Sequence, residues 1–198
     1  MNNMTDRVSS PLLTAEERQM AAAYLTRTQD CLLDAVADLT DWQWHFKPAA
    51  DRWSIAEILE HLVIVEGRVH AVVAAMPEAP SVDGDRQNAE VERIILTEVP
   101  RRSPKVQAPP HLCPSQDKSP AELLKCFVQS RAATTELVES APALRGHVVP
   151  HPILGLWDGY QWIMAVAAHT ARHTEQIREV KGDTRFSQAL ATCSGSLH

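Results

Sequence analysis

Apolar side chains recur at alternating spacings of three and four along four segments of this chain, the period of an amphipathic helix. Leu25, Thr28, Leu32, Ala35 and Leu39 form the first stripe; Ile55, Ile58, Leu62, Val65, Val69, Val72 and Met76 form the second. The third runs through Leu124, Phe127, Arg131, Thr134 and Val138, widened by Leu123 and Leu137. The fourth reads Trp162, Val166, His169, His173, Gln176 and Val180, with Gly182 as its stop. Start signals precede all four. Thr14-x-x-Glu17, Ser54-x-x-Glu57 and Ser119-x-x-Glu122 fit the capping box, and Asp158-x-x-Gln161 is a close relative of it. Helices of roughly 20 residues would each span about 30 Å. Four such helices with one apolar stripe each can bury those stripes only against one another, so the expected fold is all-α, a four-helix bundle.

The connections are unequal. Asp41 to Trp53 joins the first two predicted helices, whereas Met76 to Lys118 is a connector of about 40 residues that holds most of the prolines. A crossover of that length lets the second and third helices run in the same direction, and Asn88 to Val99 could form a short helix within it. Val148-Val149-Pro150 is the nearest approach to a strand, and proline ends it. The chain reads as one domain, residues 1–198, with a core from about 12 to 182 and a flexible N-terminus and C-terminal tail.

The fourth stripe carries the chemistry. His169 and His173 stand one turn apart where a core seam should be apolar, and buried polar groups need partners. A divalent metal would pair both imidazoles; hydrogen bonds would do so equally well, and H-x-x-x-H is a weak motif in a chain with nine histidines. His61, inside the second predicted helix, is the best third ligand. Three imidazoles from two helices would leave positions open for water or substrate, the pattern of a catalytic rather than a structural site. Glu57, one turn before His61, fits a helix cap better than a ligand or base, and Gln176 suits either the seam or a substrate contact. Trp42, Trp44 and Trp53 read as core packing. His147 and His151 repeat the spacing, but Pro150 and Pro152 exclude a helix there.

Composition narrows the classes. Hydrophobic content of 44% and charged content of 22% are ordinary for a globular protein, and 25 acidic against 19 basic residues give a net charge of −6. That balance argues against nucleic acid or an anionic membrane as partner. Arg101, Arg102 and Lys105 form the one compact basic cluster and read as a solvated loop. Cys31, Cys113, Cys126 and Cys193 are scattered without a C-x-x-C pair, so neither a zinc ribbon nor a disulfide framework is expected. Glycine-rich phosphate loops and nucleophile elbows are missing. With no secretory signal or apolar span, a cytoplasmic location is the default expectation.

Trp42-Gln-Trp-His-Phe-Lys-Pro, followed by Asp51-Arg-Trp-Ser-Ile-Ala-Glu-Ile-Leu-Glu-His61-Leu, resembles the second-helix region of the DinB-like (YfiT-type) superfamily. So do His151-Pro-Ile-Leu-Gly155 and His169-Thr-Ala-Arg-His173-Thr-Glu-Gln176-Ile. The likeness covers about Trp42 to Lys181, and W-S-I-A-E-x-x-x-H-L with H-x-x-R-H-x-x-Q is specific only in combination. It implies a crossover four-helix bundle, a homodimer, and a divalent metal such as zinc, nickel or an iron-like ion on His61, His169 and His173. Relatives include metal-dependent hydrolases and thiol-dependent S-transferases or isomerases using bacillithiol or mycothiol; many have no known reaction. Two functions follow as expectations. One is a metal-dependent enzyme that activates a water or a low-molecular-weight thiol against a small-molecule substrate. The other is a non-catalytic bundle whose metal stabilises the fold or the dimer. The connector and the tail match nothing in the family and are expected to shape the mouth of the site.

Overall fold

A computed structural model describes residues 12–76, 85–104, 107–140, 143–152 and 155–187. The termini expected to be flexible fall largely outside that range, as does Lys105. Four long helices dominate: α1 (Ala15–Val36), α3 (Ile55–Ala75), α5 (Pro120–Ser140) and α6 (Gly159–Lys181). Between them lie α2 (Asp41–His45), α4 (Asp85–Thr97), a 3-10 turn at Pro110–Leu112, and an antiparallel hairpin of β1 (Val148–His151) and β2 (Gly155–Asp158). All four expected caps form. In α3, for instance, Glu57 N–H donates to Ser54 Oγ at 3.3 Å while Ser54 N–H donates to Glu57 Oε2 at 2.8 Å. A fifth box, Thr40 with Gln43, starts α2; the same T-x-x-Q signature stood in the sequence unread.

In cross-section α1 adjoins α5 and α6, and α3 adjoins the same two helices from the opposite side. Arg18 on α1 donates to the Val138 carbonyl near the end of α5, while Arg131 reaches Leu25, so α1 and α5 are antiparallel. Glu66 bonds Arg131 and His70 bonds Thr134, so α3 and α5 run the same way. The long connector is therefore a true crossover, and its helix α4 packs on α6. The hairpin, like α2 and the 3-10 turn, is an element the periodicity did not announce. Pro150 fits there because a two-stranded ribbon is all edge, and Gly155 takes the left-handed φ of 86° that opens β2.

The core is split. One apolar cluster holds Leu25, Val69, Val138, Tyr160 and Ile163; the other holds Leu32, Leu62, Phe127, Ile177 and Val180. Between them lies a polar layer to which all four long helices contribute: Thr28, Glu66, Arg131, Thr134 and Thr170, each at most 3% exposed. Arg131 pairs with both Glu66 oxygens at 3.0 and 3.2 Å, and donates to Thr170 Oγ1 at 2.8 Å, Thr28 Oγ1 at 3.0 Å and the Leu25 carbonyl at 3.0 Å. Thr134 completes the carboxylate's shell at 2.5 Å. Every group has a partner, which is the condition for burying an ion pair at tolerable cost. The expected α3 stripe is one position out in its middle: Glu66 is buried where Val65 was expected, and Val73 where Val72 was.

Candidate metal centre

His61 rides on α3 two turns after its cap, and His169 and His173 ride on the facing, antiparallel α6. The structure brings the three together. Nε2 of His169 lies 3.4 Å from Nε2 of His61 and 3.1 Å from Nε2 of His173, and the three candidate ligand atoms all fall within 4.8 Å of one another. The rings meet at interplanar angles of 57°, 65° and 68°, so they splay around a common point instead of stacking.

The outer nitrogens decide what that point is. His61 Nδ1 is 2.7 Å from the Leu112 carbonyl, and His173 Nδ1 is 2.8 Å from Gln176 Oε1. Both partners are acceptors, so both Nδ1 atoms carry the proton and both Nε2 atoms present lone pairs inward. A single Nε2–H on His169 could serve only one of them well. A cation serves all three, and ligand bonds of about 2.0–2.1 Å at tetrahedral angles would set the nitrogens roughly 3.3 Å apart. Burial pushes His61 below its ordinary pKa, takes His169 down to about 3, and holds His173 well below the usual range. For His169 and His173 the positive charge of neighbouring groups adds to the effect. All three are therefore neutral near pH 7, the form that ligates.

The other predicted residues divide. Gln176 touches the cluster through His173. Glu57 does not join it: Oε2 accepts from Ser54 N–H, and Oε1 accepts from Lys47 Nζ at 2.6 Å and Gln116 Nε2 at 2.7 Å. Trp44 is core, while Trp42 is 43% exposed against Phe46 and Phe186. Trp53 departs from the packing expectation, since its ring sits 4.8 Å from that of His61 and 6.4 Å from that of His173 and walls the cluster. His151 lies elsewhere, stacked on Trp157 at 3.9 Å in the hairpin. A cavity of about 320 Å³ opens between α1 and α5 and touches none of the three histidines.

Glu60 is the residue the sequence reading missed. Its carboxylate, 4% exposed, accepts from Ser115 N–H at 3.0 Å, Ser115 Oγ at 2.6 Å and Gln116 N–H at 2.9 Å. Burial alone would raise its pKa, but these bonds outweigh it and hold the carboxyl below its ordinary value. Gln116 adopts a φ of 66°, an uncommon conformation for a side chain of its size. Glu57 and Glu60 thus fasten the connector to α3, and so place the Leu112 carbonyl on His61. The signal was a carboxylate pair at i, i+3 ahead of a histidine. Glu60→Ala is expected to free this segment, loosen the Leu112 carbonyl on His61 and weaken metal binding by up to about tenfold, the low end of the cost of losing a ligand's own partner. A metal-competition titration, with circular dichroism to show intact helices, measures it; an unchanged affinity contradicts the coupling.

Three convergent imidazoles on two helices of a crossover bundle define a class, an all-α bundle with a histidine cluster suited to a metal ion. The DinB superfamily model matches residues 24–177, and the chain belongs to that superfamily. It is also 30% identical over 148 residues to the uncharacterized protein YuaE of Bacillus subtilis (strain 168), covering 72% of this chain and 86% of that protein. No solved structure matches it significantly. Among the described residues no helix is long and apolar enough to cross a membrane.

Proposed function

We propose that this protein is a metal-dependent enzyme acting on a small molecule, with one divalent ion of the zinc, nickel or iron-like kind held by Nε2 of His61, His169 and His173. One observation carries the reading: three buried imidazole Nε2 atoms converge on one point, those of His61 and His173 with lone pairs inward, and among the described residues no carboxylate or thiol joins them as a fourth ligand. An ion bound there would lower the pKa of a water or a low-molecular-weight thiol in its open position. Leu112 and Gln176 fix the tautomers of His61 and His173, and Trp53 shields the two rings from solvent. The reading also takes the chain as a homodimer, on the family likeness, and keeps the single domain and the cytoplasmic location as expectations.

A second reading has its own support. Glu57 and Glu60 are both committed to the connector, so neither is free to act as a general base. That favours a non-catalytic ion that stabilises the fold or the dimer. The metal-loaded protein, assayed with electrophiles plus several low-molecular-weight thiols and with an ester and amide panel, separates the two. Turnover in one panel, abolished by His169→Ala, is the expected result. No turnover in either panel, with a large metal-induced rise in melting temperature, supports the stabilising ion instead.

A further inference from the structure

Arg172 lies between two of the three histidines in sequence and is half-buried, and among the described residues no carboxylate lies within ion-pair distance of it. Its one hydrogen bond goes from Nη2 to the Pro104 carbonyl at 2.9 Å, leaving most of its five donors unused. That bond draws the connector across α6 and brings a second guanidinium alongside. Arg102 donates to both oxygens of Glu179, at 3.0 and 3.2 Å, and is only 20% exposed; the segment is a loop as expected, but this side chain is held against α6. Arg52, next to Trp53, reaches the same carboxylate at 3.4 Å. Two guanidinium groups thus hold one carboxylate of α6, and Arg172 stands two turns before it on the same helix. Arg101 is not among them, since Glu98 takes it at 2.9 Å.

In a chain of net charge −6 this local excess of positive charge is unusual. Arg172 stands three residues after His169 and next to His173 on α6, and Arg52 adjoins Trp53, whose ring lies 4.8 Å from that of His61, so the guanidinium cluster borders the histidines. A divalent ion on three neutral imidazoles would add to the imbalance. Such a field favours an anion, and a planar fork of free N–H donors is the group that binds an oxyanion through paired hydrogen bonds.

We propose that Arg172, assisted by Arg102, binds an oxyanion group, carboxylate or phosphate, on the small molecule whose reacting end meets the three-histidine centre. This rests on the metal reading above and narrows its substrate class to anionic molecules. Three probes with one metal-binding head test it on the cobalt(II)-loaded protein: butyrohydroxamate, succinate monohydroxamate and 3-phosphonopropanohydroxamate, which differ only in a methyl, carboxylate or phosphonate tail. Visible absorption of the cobalt reports each affinity. At least one charged-tail probe should bind about tenfold tighter than the methyl-tailed one, as a charge-assisted contact requires. Whichever charged tail wins names the oxyanion. In Arg172→Gln the preference should fall to about one, and Arg172→Lys should keep part of it. Equal affinities for all three probes in the unmodified protein overturn the proposal and leave the metal centre standing, as does an undiminished preference in Arg172→Gln that still shows the cobalt spectrum. If no cobalt spectrum develops in the unmodified protein, the metal reading itself fails and this inference falls with it.

Discussion

Glu66→Ala is expected to destabilise the protein by about 3–5 kcal/mol, the cost of stranding a buried charge. The reason is Arg131. It is 2% exposed, and among the described residues Glu66 is the only one that brings it negative charge; its other hydrogen bonds go to two hydroxyls and a carbonyl. Removing the carboxylate also takes away one of the two acceptors of the Thr134 hydroxyl, leaving it the Ser130 carbonyl at 3.1 Å. A whole domain is stable by only about 5–15 kcal/mol, so this single change should put much of the population at risk of unfolding. Replacing both partners with apolar side chains, Glu66→Leu with Arg131→Met, should cost far less, because no charge is then left alone. Urea unfolding of the two single variants and the double variant gives the coupling directly. A Glu66→Ala cost below about 1 kcal/mol would mean that water reaches the layer and that the pair is not dry.

How the sequence conveys this layer shows what periodicity can and cannot see. Thr28, Arg131 and Thr134 fell on the apolar stripes, and the bundle indeed buries them. Glu66 did not, because Val65 satisfied the spacing equally well and hydrophobicity was the criterion. Only the need to neutralise Arg131 across the interface selects Glu66, and that need appears once the two helices are packed. The same limit explains the hairpin. Its two strands of four residues are too short for a period, and Pro150 argues against them unless the ribbon is all edge. Helix starts were legible because a cap is a local event, fixed within four residues.

The candidate site divides along the same line. The pair on α6 was readable from one helix, and His61 from its place near the seam of another. That their ring nitrogens point at one another depends on Leu112 and Gln176. Gln176 is three residues from His173 and was already in view. Leu112 is 51 residues from His61, in a connector whose course the sequence does not encode in any pattern. Glu60 was hidden for the same reason, since its partners Ser115 and Gln116 come from that connector. Arg102 passed for a loop cation because Glu179, which holds it, lies 77 residues away.

Loading with a divalent metal is the second large expected effect. Ligands that are neutral, buried and fixed in tautomer lose little freedom on binding, so the ion should favour the folded state strongly. At a free metal concentration about 100 times the dissociation constant, the gain is about 2.7 kcal/mol, and a chelator should reverse it. The melting temperature should therefore rise with metal and fall with chelator in the native sequence, and should not respond in His169→Ala/His173→Ala. A melting temperature that rises equally in the double variant would place the metal somewhere else.

The most direct measurement is metal content. Elemental analysis of the purified protein and of the His169→Ala/His173→Ala variant, each dialysed against metal-free buffer after loading, counts ions per chain. About one ion in the native sequence and none in the variant is the predicted result. Equal metal in both, or none in the native protein after loading, would contradict the three-histidine centre.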